Sequence, residues 1–307
     1  MEKRLTRTDY LFAILTIFML VCVLGAFFIG YNIGSSRADD RYQSVIESYN
    51  TKMSTPETYS SQALVSFYHN MYLPYNKFQK AWFETINDIK ADPESKKTSA
   101  KIRSLASYAE KTLDNLQAKV NSISPSNPLL QSANTEYIAS LQSFITGLEN
   151  LDKHAKSVTS NQLISLIDTS TQIQEAKQHA VKAQSDYYNS MVKWGQFTDA
   201  TVKSIGADQP LSIDEWTKLS LLSKNEYIAA RHYADVKFTA YMPQDLTYRI
   251  DEFIQSGQND KLNLKQVTDI IALITSMDAV KPADFIENKT KYTNQLLPDI
   301  PFFTMNN

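Results

Sequence analysis

Residues 127–155, NPLLQSANTEYIASLQSFITGLENLDKHA, put an apolar side chain at every third or fourth position, through Leu130, Ala133, Tyr137, Leu141, Phe144, Leu148, Leu151 and Ala155. That spacing matches the 3.6-residue turn of an α-helix and gathers those side chains into one narrow stripe. Asn127 ahead of Pro128 is a start signal, because a capping side chain precedes a residue whose fixed φ suits the first helical position. The stretch therefore predicts a helix over about 128–157 with a single face to bury, and such a face needs partners.

The neighbours supply them. The run 57–90 carries Leu64, Tyr68, Met71, Tyr75, Phe78, Trp82, Ile86 and Ile89. The run 94–123 carries Ile102, Leu105, Ala109, Leu113, Leu116, Val120 and Ile123. A longer, weaker stripe over 160–203 reads Leu163, Ile167, Ser170, Ile173, Ala176, Ala180, Ala183, Tyr187, Met191 and Trp194. Thr55-Pro56 and Asp92-Pro93 repeat the capping-residue and proline signal, and Thr159 with Gln162 fits a capping box. Four long helices joined by short loops pack antiparallel, so residues 56–205 read as an up-down four-helix bundle. Pro74 lies inside the first helix. Its ring removes a backbone donor but leaves the stripe in phase, which predicts a kink and no break.

Glycine usage agrees with an all-α chain. After Gly34 only Gly147, Gly195, Gly206 and Gly257 remain, too few for the left-handed turns that hairpins require. Beyond residue 205 the pattern restarts as a smaller helical unit, 206–307, with helices near 213–238, 244–256 and 264–277. Ser212 with Glu215 and Asn263 with Gln266 fit two more capping boxes. The stretch containing Pro282, Pro298 and Pro301 reads as irregular.

Toward the other end, residues 11–34, LFAILTIFMLVCVLGAFFIGYNIG, carry no charge from Leu11 to Ile29. A helix there spans roughly 30 Å of hydrocarbon, which makes it a candidate transmembrane anchor in contact with membrane lipid. Lys3, Arg4 and Arg7 in the tail 1–10 favour an N-terminus inside and everything after the span outside. Residues 35–55 read as a polar helical stalk. Ser36-Arg37-Ala38 offers the alternative of cleavage near Ala38 and a secreted product. The one cysteine, Cys22, lies within the span, so the remainder has no thiol for a disulfide, a composition suited to a bacterial cell envelope.

The residues exclude more functions than they specify. A net charge of -2 lacks the basic surface needed to displace counterions from nucleic acid. The four histidines sit on different helices, and none has a glutamate three residues before it, so the di-iron bundle pattern is missing. Glu175 and His179, one turn apart, could share a ligand or form an ion pair, but with Lys177, Gln178 and Lys182 beside them they read as a solvated face. No strained serine turn marks a nucleophile. The chain thus reads as a non-catalytic interaction or scaffolding protein without a cofactor, contacting an envelope protein or wall component. The alternative is a ligand-sensing bundle acting through a partner.

Two sets of residues are singled out. If the helices align at their midpoints, Pro74 shares a level with Ala109, Leu141 and Ala180. Small side chains there, edged by Tyr75, Phe144, Gln174 and Gln184, define a candidate ligand pocket. The same level makes an ordinary filled core if the rings occupy it. Tyr72, Tyr188 and Tyr248 fall off the apolar stripes and form a candidate partner surface, since tyrosine contributes contact area at small entropic cost.

Overall fold

A computed structural model describes residues 58–92, 98–155 and 157–304. The anchor run 11–34, the stalk 35–55, the cleavage site near Ala38 and the prolines at 56 and 93 lie outside them. Among the described residues no helix is long and apolar enough to cross a membrane, no strand forms, and residues 56–307 make one compact unit.

The bundle begins with α1 (Ser61–Phe67), capped by Ser60, whose side chain accepts the Ala63 N–H. A π-helical turn (Tyr68–Tyr72) follows and leads into α2 (Leu73–Ala91) without a break. Pro74 explains the wide turn. It cannot donate to the carbonyl of Asn70 and its ring crowds that group, so the Leu73 N–H reaches one residue further back, to Tyr68 O. A π turn adds one residue, which rotates the upstream face by about 100° against the downstream one. Phe67 and Tyr72 are thereby brought inward beside Met71 and Tyr75.

The next helices are α3 (Thr98–Lys119) and α4 (Pro128–His154), the latter with every position of its apolar stripe from Leu130 to Leu151 buried. Contacts fix their directions. Phe78 meets Tyr108 and Asn70 meets Ser122, so α3 runs against the first arm. Phe67 meets Tyr137 and Trp82 meets Phe144, so α4 runs with it. The long fourth helix expected over 160–203 is instead two, α5 (Ser160–Thr169) and α6 (Thr171–Thr198). In the run Asp168-Thr169-Ser170-Thr171, hydroxyl side chains compete with the helical ladder. Ser170 turns extended and caps α6 by accepting the Ile173 N–H. Helix α6 runs antiparallel to α4, with Ser132 donating to Asp186 and Ser140 donating to Ala176 O.

The chain continues through α7 (Ile213–Lys218), α8 (Leu221–Ala234), α9 (Pro243–Gln255), α10 (Gln258–Lys261), α11 (Val267–Ser276), α12 (Asp284–Asn288) and a 3-10 turn (Lys289–Tyr292). The capping boxes at Thr159 and Ser212 form. The one expected at Asn263 does not: Asn263 takes a left-handed φ of 53°, and α11 starts after Gln266. The single helix expected over 213–238 breaks at Leu219-Ser220, where Ser220 caps α8. These elements enclose a core of their own around Trp216, Tyr227, Ile250, Val267 and Ile270. They also lean on the bundle, because Leu221, Leu222, Ala229, Phe285, Phe302 and Phe303 belong to the bundle's apolar cluster. Helix α8 packs along α6, which is why the α6 stripe reads weakly: Val181, Gln184, Tyr188, Val192 and Gly195 form a second buried face.

Candidate functional site

The level around Pro74 is filled. The Tyr75 ring stacks on Tyr137 at 4.2 Å, and its hydroxyl pairs with Ser140 at 2.6 Å. Phe144 meets Phe78 at 5.2 Å, Trp82 at 4.6 Å and, from beyond the bundle, Phe238 at 5.7 Å. Ala109 and Ala180 are buried on α3 and α6. The two glutamines do not edge a common space. Gln174 is exposed and donates to Asp168 O at 2.8 Å across the α5–α6 break, while Gln184 lies on the other α6 face, 3.6 Å from Met242 Sδ. The six residues named for the pocket are therefore split between a packed ring cluster, a helix junction and a seam.

The three tyrosines named as a partner surface are interior instead: Tyr72, Tyr188 and Tyr248 expose 4 %, 1 % and 4 %. The π turn carries Tyr72 inward, and α8 and α9 cover Tyr188. Tyr248, on α9, has its ring under Lys291 and donates its hydroxyl to Glu252 at 3.0 Å.

Tyr72, Tyr188 and Gln184 do meet, at the seam where the start of α9 packs on α2 and α6. The Tyr72 and Tyr188 hydroxyls lie 3.5 Å apart, and Tyr188 donates to Gln244 Oε1. Asn76 donates to Met242 Sδ at 3.1 Å, and Gln79 to Thr239 O at 2.7 Å. Asp245 ties the seam to α12, accepting from Met242 N at 2.8 Å and from Phe285 N at 3.0 Å. Burial raises its carboxyl to about 6, against the lowering effect of those two bonds. Burial likewise pushes the Tyr72 and Tyr188 phenols up, so both remain protonated donors at neutral pH. The seam offers hydroxyls, amides and one carboxyl that already engage one another, an arrangement suited to joining two layers.

Gln244, Asp245, Asn76 and Gln79 escape a sequence reading because polar residues inside helices look solvent-facing. Pro243 to Tyr248 are six consecutive buried residues with no apolar period to betray them. The one available signal is Asp245 three residues after Met242, where an acid can reach back to the N-cap N–H.

On the outer α4–α6 face, His179 Nδ1 lies 2.6 Å from Glu136, so its partner comes from α4 and is not Glu175. Among the described residues no group of three His, Cys, Asp or Glu side chains is placed to hold a metal ion. No protein family, no curated protein and no solved structure matches this chain.

Proposed function

We propose that this chain is a membrane-anchored, extracytoplasmic interaction or scaffolding protein of a bacterial cell envelope, which displays helical faces to an envelope protein or wall component. The observation that carries the reading is the closed centre of the bundle. Concave sites between bundle helices need missing bulk, and here Tyr75, Phe78, Trp82, Tyr137 and Phe144 meet ring to ring with the Tyr75 hydroxyl already paired. Contact with other molecules then falls to the outer surface, and the ligand-sensing alternative loses its natural site. In this reading residues 11–34 supply the anchor, and no catalytic step is assigned.

Crosslinking in intact cells followed by purification of the full chain tests it. A discrete protein or wall fragment retained on the chain is the expected result. A small molecule that raises the melting temperature, with no macromolecule retained, would favour the sensing alternative. The anchor has its own check: protease added to wall-stripped cells should digest residues 35–307, and a mature N-terminus at Asp39 would make the protein secreted.

A further inference from the structure

Residues 298–304, PDIPFFT, form no regular element, yet they sit deep. Ile300, Phe302 and Phe303 are buried, and Phe302 lies 5.7 Å from the ring of Tyr68 and 6.0 Å from that of Tyr72, on the π turn. Phe303 packs on Phe285 at 5.9 Å. Polar contacts fix the two ends of this strap. Asp299 N donates to Ser61 Oγ at 3.1 Å, that hydroxyl donates to Asp299 Oδ2 at 3.3 Å, and Lys289 Nζ donates to Thr304 O.

The receiving groove is built from Ser61, Tyr68, Tyr72, Phe285 and Lys289, of which Tyr72 also packs on Tyr187 and Phe285 on Tyr292, outside the strap. Between groove and strap runs a hinge, residues 293–296, exposed at every position. Leu296 in that hinge and Ile286 on α12 leave apolar side chains 45 % and 47 % exposed. A strap whose contacts are all side-chain anchors and end bonds makes the same contacts in an identical groove on another copy, which is the physical condition for exchange. The two exposed apolar residues beside the hinge are then available for the new contact that two crossing hinges create.

We propose that residues 298–304 exchange between two copies of this chain, each strap filling the groove of the other. Closure within one chain competes at an effective concentration of roughly millimolar, so exchange grows with protein concentration and with confinement of both copies to one surface. This proposal does not depend on the envelope reading above.

Cysteine pairs decide it. In a full chain with Cys22→Ser, one preparation carries Ser61→Cys and another Asp299→Cys, and the two are mixed and oxidised. The expected result is a disulfide-linked dimer of the two variants whose yield rises with concentration. A chain carrying both substitutions reports whether the strap lies on Ser61 at all, by closing within itself when dilute. Ser104→Cys, exposed on α3, mixed with Asp299→Cys, measures chance collisions. Closure in the double variant with no dimer from the mixed singles overturns the proposal, as does equal dimer from the Ser104 mixture. If the double variant never closes, the groove does not hold the strap and the proposal falls with it.

Discussion

In the bundle, Phe78, Trp82 and Phe144 meet ring to ring and the buried hydroxyls of Tyr75, Ser140 and Tyr187 all find partners. The helices beyond residue 205 bury Lys224, Glu226, His232, Asp245, Asp251 and Asp284 in a much smaller core. Ring packing is nearly indifferent to pH and salt, whereas buried charge is stable only while each partner is present. The two regions share one compact unit and differ in how they fail. Asp251 shows the second mode most plainly. One carboxylate oxygen takes Lys224 Nζ and Trp216 Nε1, each at 2.8 Å, and the other takes the Tyr292 hydroxyl at 2.8 Å.

The sharpest way to break the contrast is Asp251→Ala. It strands a buried ammonium and two donors, and should cost about 3–5 kcal/mol in urea unfolding, with hydrogen exchange rising in α8 and α9 before α4. Equal loosening of α4 would show that the two regions fail together.

Acid should separate them next. Burial lowers His232 to about 4 and raises Asp245 to about 6. His232 contributes stability that is present above its unfolded value and lost as pH falls through about 4. Asp245 contributes stability that is present below its unfolded value and lost as pH rises through about 6. Between pH 6 and 4 the two slopes oppose. The stability advantage of the wild type over His232→Gln should therefore shrink by about 2–3 kcal/mol from pH 7 to 4, and Asp245→Asn should give the reverse slope. A pH-independent difference for His232→Gln would mean that the imidazole titrates alike in both states.

Ala180→Leu probes the bundle. In a filled core the added bulk should cost about 1–3 kcal/mol by overpacking, read as a fall in urea midpoint. An unchanged or higher midpoint would reopen the ligand pocket. The smallest effect expected is a gain. Val236, just after α8, holds φ at 49°, a conformation that a β-branched residue adopts only under strain. Val236→Gly should stabilise by roughly 0.5–1 kcal/mol, while the same substitution at the ordinary helical Val192 should destabilise.

The bundle is largely legible in the sequence because its helices other than α6 have one apolar face each, and a single stripe is what periodicity detects. Leu130 to Leu151 read correctly for that reason. The break at Ser170 leaves no mark in the apolar pattern because Ile167 and Ile173 keep the stripe going while a hydroxyl cap interrupts the backbone. Tyr72 and Tyr188 read as surface residues in the sequence because each needs information from elsewhere: a π turn forced by Pro74 in one case, and a covering helix in the other. The α9 seam leaves no mark in the pattern because burial there follows from tertiary contact, with polar side chains such as Asn76 and Gln79 satisfied by Met242 and Thr239, far along the chain. Helix starts fared best where both members of a box were present and the following residues were helical, at Thr159 and Ser212.

Tyr59, just ahead of α1, gives its backbone N–H to Asn127 Oδ1, and its hydroxyl accepts the Leu129 N–H at 3.3 Å. Considered mechanically, the chain is clasped to the start of α4 before α1 begins. A pull on residue 58 loads those two bonds and the rigid α4 behind them before it can peel α1 from the core. The fold thus resists tension arriving from that side in the manner of a knot at a seam, and cutting Asn127 to alanine should lower the force at which the first helix comes away.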